Sequence, residues 1–166
     1  MESAPPGWTR YVVQSKVGLG RDFIVQDEDG RQVFFVDGKA GIPAKADIQD
    51  AAGTVVASVR GSLIPIPKRV SIADAAGEPV AELKAKAFTP IKARMTLTMA
   101  DGATWQVAGE ILEKDYQVTA EGSPVLTISQ KWMKVRDNYT LDIAEGTPMP
   151  IALALLWTVD RWAEQN

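Results

Sequence analysis

Cations crowd the middle of the chain. Arg60, Lys68, Arg69, Lys84, Lys86, Lys92 and Arg94 fall between residues 51 and 94 against only Asp74, Glu78 and Glu82, whereas residues 95–166 hold five basic and ten acidic residues. Lys84 and Lys86 are two apart, as are Lys92 and Arg94 just beyond Phe88-Thr89-Pro90. On an extended chain, side chains two apart project from one face. Ammonium and guanidinium groups gathered on one hairpin face suit recognition of a phosphorylated head group by charge-assisted hydrogen bonds. Lys68, Arg69, Lys84, Lys86, Lys92 and Arg94 are therefore the candidate ligand-binding residues. The plainer reading of the same run is a solvated outer face on which lysines discourage edge pairing.

Other chemistry is sparse. The chain has no cysteine and no histidine, which removes thiolate nucleophiles, disulfides, Cys/His zinc sites and imidazole acid/base catalysis. Carboxylate, Lys, Tyr or Ser chemistry remains, and no Asp or Glu pair stands out for a hydrolase of the two-carboxylate kind. Lys131, Lys134 and Arg136 surround Trp132 and Met133 and could form a basic, aromatic contact surface, or simply flank a packed Trp132. Asp27-Glu28-Asp29-Gly30 lacks the further ligands of an EF-hand and reads as a turn. Gly18-Leu19-Gly20 lacks the rest of a dinucleotide fingerprint and reads as a loop. Neither a cofactor nor a metal is expected.

The elements that must carry the cations are strands. Short runs rich in Val, Ile, Thr and aromatics are broken by Gly turns at Glu28-Asp29-Gly30, Asp37-Gly38, Ala52-Gly53, Ala76-Gly77, Asp101-Gly102 and Glu121-Gly122. Met95-Thr96-Leu97-Thr98-Met99 and Thr104-Trp105-Gln106-Val107 alternate on either side of Asp101-Gly102, the pattern of a hairpin. Continuing in this way predicts about twelve strands, from 10–17 to 138–144, and so many strands without an intervening helix must close into a barrel or stack into a sandwich. Ile48 to Val59 also aligns with Ile72 to Leu83, 24 residues on, each copy being a strand end, a turn and the next strand. Because the offset matches one hairpin unit, repeated use of a good turn is the preferred explanation over a duplication.

The final segment breaks the strand pattern. Thr147 is placed to N-cap and Pro148 suits a first helical turn, after which Ile151, Ala152, Leu153, Ala154, Leu155, Leu156, Trp157 and Val159 leave no polar face until Asp160, Arg161 and Glu164. A helix that is apolar all round is a buried helix. Within an all-β chain, the inside of a large barrel is the place that surrounds it. The apolar stretch Ile151–Trp162 spans roughly 18 Å, short of the ~20 residues a bilayer span needs. Asp160 and Arg161 are expected to cap this helix or plug the barrel mouth.

Three features together resemble the LOR family of the tubby C-terminal-like superfamily, whose relatives include the phospholipid scramblases. They are Phe23-Ile24-Val25-Gln26-Asp27-Glu28-Asp29-Gly30-Arg31-Gln32-Val33, the repeated Ile48-Gln49-Asp50-Ala51-Ala52-Gly53 unit, and the terminal apolar helix with Asp160 near its end. The resemblance runs from about Arg10 to Trp162. It implies a mainly β fold, a twelve-stranded closed antiparallel barrel enclosing the C-terminal hydrophobic helix, and for tubby-like relatives it implies phosphoinositide binding. The chain departs from scramblases in lacking cysteines for palmitoylation and a membrane-spanning helix, so scrambling is not expected.

Residues 1–9 are expected to be a tail and 10–166 one barrel domain. The segment Met1 to Trp8 carries Glu2 and two prolines where an export signal would need positive charge and an apolar core. With no cysteine, a cytoplasmic location is expected. A net charge of -3 and a pI of about 5.0 argue against nucleic acid as partner. The leading expectation is a non-enzymatic module that binds an anionic lipid head group, with at most peripheral membrane contact. A protein-interaction barrel without lipid binding comes second, and a carboxylate hydrolase last. A helix in the lumen would confine any ligand to the outside or the rim.

Overall fold

The computed structural model describes residues 4–16, 21–63, 68–88, 91–130 and 138–164. Twelve strands and one helix follow in order: β1 (Trp8–Lys16), β2 (Asp22–Gln26), β3 (Gln32–Lys39), β4 (Lys45–Asp50), β5 (Val55–Gly61), β6 (Arg69–Asp74), β7 (Pro79–Phe88), β8 (Lys92–Met99), β9 (Thr104–Glu110), β10 (Asp115–Ala120), β11 (Ser123–Ser129), β12 (Tyr139–Ala144) and α1 (Met149–Glu164). Each strand pairs antiparallel with its neighbours in sequence, and β1 pairs with β12 to close the barrel. The first strand starts two residues earlier than expected, since Trp8 and Thr9 pair with Ala144 and Ile143. At the closing seam Arg10 and Asp142 are register partners joined by two hydrogen bonds of 2.7 and 2.8 Å.

Alternation puts Val13, Phe23, Val25, Val36, Ile48, Val59, Ile72, Leu83, Leu97, Val118, Ile128 and Leu141 inward, and α1 fills the space between them. Every residue from Ile151 to Asp160 is buried. The helix backbone runs closest to β4, β5 and β6, where Ala46 and Ala57 face inward and permit the approach. Larger groups fill the wider gap on the far side: Phe23, Tyr116, Tyr139, Leu126 and Leu141. Tyr116 fits because its cross-strand partner is Gly109, where a Cβ would collide with the ring. The helix start differs from expectation in one detail. Pro148 O accepts the first helical bond, from Ala152 N at 3.2 Å, and the Thr147 hydroxyl donates to Val125 O at 3.3 Å. Thr147 thus ties the helix to β11 instead of capping an amide.

An up-and-down barrel gathers alternate connections at opposite ends. The β2–β3, β4–β5, β6–β7, β8–β9 and β10–β11 turns and the β12–α1 link form what we term the hairpin end. The remaining connections form the exit end, where α1 terminates. At the hairpin end one turn recurs three times. Asp27, Asp50 and Asp74, spaced 23 and 24 residues apart, each accept two backbone amides, two and four residues on, at 2.9–3.0 Å. Gly30, Gly53 and Gly77 adopt φ of 80–85° in these turns, a conformation that glycine takes without a Cβ penalty. A register shift precedes each turn, at Val25/Gln26, Ile48/Gln49 and Ile72/Ala73. The sequence repeat is therefore one Asx turn used three times, and the carboxylate of Asp27 is occupied by main-chain amides.

Candidate ligand-binding site

Charge separates along the barrel axis. The six hairpin-end segments, residues 26–32, 50–55, 74–79, 99–104, 120–123 and 144–149, hold nine acidic residues and one basic residue, Arg31. Cations collect on the outer wall next to the exit end. In the barrel register Lys39 lies opposite Lys45, Lys45 opposite Arg60, and Arg69 opposite Lys84. All five are exposed, as is Lys86 at the β7 bulge between Ala85 and Ala87. Directly opposed like charges destabilise a sheet, and here three such pairs adjoin. Lys39 is partly neutralised by Asp37, at 2.6 Å. Asp47 and Glu82, the carboxylates nearest on these strands, lie two residues toward the hairpin end from Lys45 and Lys84.

The six residues singled out from sequence divide into three settings. Arg69, Lys84 and Lys86 belong to the exposed wall. Lys68 turns the rim and enters a cleft of about 360 Å³ whose lining includes Ile42, Leu63, Arg69, Trp157, Arg161 and Trp162. There its ammonium sits 5.9 Å from the Trp162 ring centroid, and the Arg161 guanidinium lies 5.7 Å over Trp157. Burial, and secondarily the Arg161 charge, hold the Lys68 pKa below the ordinary lysine value. Two cations partly withdrawn from water beside each other form a setting that an anion would relieve. Trp157 also has a buried indole N–H without an acceptor among the described residues.

Lys92 and Arg94 occupy a different groove, of about 300 Å³, with Glu110, Asp115 and Gln117. Lys92 is the register partner of Glu110, and Glu110 of Asp115. Two carboxylates balance the two cations, so this groove is less suited to an anion than the wall. Sequence reasoning missed Lys39, Lys45 and most of the role of Arg60, because cross-strand register brings them together across 6 to 15 residues of chain. The cluster at Lys131, Trp132, Met133, Lys134 and Arg136, the Gly18-Leu19-Gly20 loop and the turn at Thr89-Pro90 lie outside the described residues.

The exit end is locked by a buried carboxylate. Asp160, wholly inaccessible, accepts a 2.6 Å hydrogen bond from the Tyr139 hydroxyl and pairs with the Arg21 guanidinium through both Nε and Nη2. Lys114 reaches Glu164 at 3.0 Å. Arg21 and Lys114 both stand in left-handed backbone, with φ of 59° and 48°, and both place positive charge at the helix C-terminus, where the macrodipole favours it. Burial, and next the Asp160 carboxylate, push the Tyr139 and Tyr116 hydroxyls well above the usual phenol range. Asp160 plugs the mouth from inside, while Arg161 lies outside it over Trp157.

Among the described residues no group of three or more Asp or Glu side chains is arranged to hold a metal ion, and no helix is long and apolar enough to cross a membrane. Comparison with known proteins agrees with the architecture. The protein YxjI of Bacillus subtilis (strain 168), itself uncharacterised, is 24% identical over 151 residues, which cover 90% of each chain. An X-ray structure of an Arabidopsis thaliana protein shares the fold with a TM-score of 0.70 at 17% identity, over 95% of this chain and 93% of that one. The sequence profile of the LURP-one-related (LOR) proteins matches residues 9–160, from the first strand into the last turns of α1, and the chain belongs to that family.

Proposed function

We propose that the protein is a non-enzymatic binding module for anionic phospholipid head groups at a membrane surface. The observation that carries this reading is the run of opposed cations Lys39/Lys45/Arg60 and Arg69/Lys84 on one side of the exit end. A sheet gains stability when such positions carry opposite or neutral partners, so cations kept face to face have their use in a ligand that bridges them. Lys68 and Arg161 at the rim extend the same field. Lys86 enlarges the wall, and Lys92 and Arg94 contribute more weakly beside Glu110 and Asp115. That groove is read as charge-balanced surface and not as a hydrolytic pair, because Lys92 stands directly opposite Glu110. With α1 in the lumen, binding is external. The absence of cysteine accords with a cytoplasmic site of action, where anionic lipids line the inner leaflet.

Co-sedimentation with phosphatidylcholine vesicles, with and without phosphatidylserine or a phosphoinositide, at two salt concentrations tests the proposal. Binding should require the anionic lipid and fall with salt, as expected for exposed charges. It should also weaken when Lys68, Arg69, Lys84 and Lys86 become alanine, each cation near such a surface being worth about 1 kcal/mol. Absence of binding, or binding indifferent to head group and to these substitutions, would sink it in favour of a protein partner.

A further inference from the structure

The exposed apolar side chains do not scatter. Among the described residues five large hydrophobics are exposed, and the four most exposed are Ile42 (91%), Leu112 (80%), Leu63 (68%) and Ile91 (56%). Each sits in a different connection: β3–β4, β5–β6, β7–β8 and β9–β10. In an up-and-down barrel these four successive connections all lie at the exit end. The fifth residue, Val55, is the least exposed at 38% and belongs to the hairpin end. Single exposed hydrophobics on a surface need no explanation, but several collected on one rim mark an interaction surface.

The strands behind three of these tips carry the cations, whereas β9 and β10 behind Leu112 carry Glu110 and Asp115. Lys45 follows Ile42, Arg60 precedes Leu63, Lys84 and Lys86 precede Ile91, and Lys92 and Arg94 follow it. Apolar tips in front of a band of Lys and Arg match the layering of an anionic bilayer, in which apolar groups enter the headgroup and acyl boundary while cations remain at the phosphate level. The far end is oppositely charged, with nine acidic residues against one basic, and an anionic surface would repel it. Both apolar and electrostatic asymmetry therefore favour the same orientation.

We propose that the barrel docks end-on onto an anionic bilayer, with its exit end down, Ile42, Leu63, Ile91 and Leu112 inserted in the interfacial layer and the hairpin end pointing away. The proposal rests on the anionic-lipid reading above and adds the orientation, the insertion and a requirement for assembled lipid. Neither the wall cations alone nor a soluble head group would use the tips.

The absence of cysteine makes the test direct. A single cysteine is introduced at Leu112, at Leu63 or at Ile42, and as a control at Ala52 in the β4–β5 turn, and each is labelled with an environment-sensitive fluorophore. Vesicles contain phosphatidylcholine alone or with a minor fraction of phosphatidylserine. The tip labels should shift to the blue with phosphatidylserine vesicles at low salt, the Ala52 label should stay aqueous, and neutral vesicles should give no shift. Replacing Leu63, Ile91 and Leu112 together by serine should weaken vesicle partitioning by about a hundredfold, with far-UV and near-UV circular dichroism unchanged. Co-sedimentation of the unlabelled chain separates the two ways of failing. If it binds phosphatidylserine vesicles while the tip labels remain aqueous, insertion is overturned and head-group binding stands. If it does not sediment with vesicles at all, both are overturned. Equal shifts at the tips and at Ala52 would overturn the orientation.

Discussion

The two ends of this barrel are built by different means. The hairpin end is local: an Asp side chain accepts amides two and four residues away, a glycine takes the left-handed turn, and the chain reverses, three times over. The exit end is assembled from residues far apart in sequence. Arg21 and Asp160 are separated by 139 positions and Lys114 and Glu164 by 50. Local turns can be acidic and solvated because nothing else depends on their side chains. The exit end, by contrast, buries a carboxylate, confines two cations against tryptophans and exposes apolar tips. Costly features concentrated at one end are the usual mark of a functional end.

The most destructive way to break the comparison is to remove what joins the ends. Leu156→Asp places a charge at the centre of α1, and truncation after Gly146 deletes the helix. Either should prevent folding outright, since the inward face of twelve strands loses its filling. Loss of near-UV circular dichroism and of protease resistance is expected, and a stable truncated chain would refute the buried placement.

A matched pair of substitutions then sharpens the contrast. Asp160→Ala removes the acceptor of the Tyr139 hydroxyl and the buried carboxylate that pairs with the Arg21 guanidinium, and is expected to cost about 2–4 kcal/mol. Asp74→Ala at the hairpin end removes the carboxylate that accepts from two exposed backbone amides, those of Ala76 and Glu78, for about 1 kcal/mol. Urea denaturation of both variants measures the difference, and equal losses would contradict the assignment of the exit end as the locked one.

These elements also show what a sequence yields. The Asx turns, the alternation between them and the uniformly apolar helix are patterns within a dozen residues, so twelve strands and one core helix were legible. Lys84 and Lys86 could be assigned to one surface because period-2 alternation is local too. Opposition of Lys45 to Arg60, or of Arg69 to Lys84, depends on which residue faces which across a turn, and bulges such as the one at Lys86 shift that register. Leu63 and Leu112 look like core residues until the topology puts them at loop tips. Asp160 was visible as a break in an apolar helix, whereas Arg21 and Tyr139 were not visible as its partners.

Alkaline pH should act on the exit end first. Tyr139 and Tyr116 are held protonated in the fold. A phenol with a raised folded pKa contributes stability below its ordinary pKa of about 10 and loses it as pH climbs further. Unfolding free energy should therefore decline above about pH 10, and Tyr116→Phe should flatten that decline. The smallest effect expected is a gain. Lys84→Thr relieves the opposition to Arg69 and should stabilise the wall by a few tenths, about 0.2–0.5 kcal/mol, seen as a small rise in Tm, while weakening binding to anionic vesicles.

Equilibrium binding to phosphatidylserine-containing vesicles by two charge variants of the intact chain tests the asymmetry most directly. In one, Lys45, Arg60, Arg69 and Lys84 become glutamine. In the other, Glu28, Glu78, Glu121 and Glu145 at the hairpin end become glutamine. Binding should fall at least about tenfold in the first and hold or rise slightly in the second. Equal binding by both variants would contradict the assignment of the exit end as the binding end.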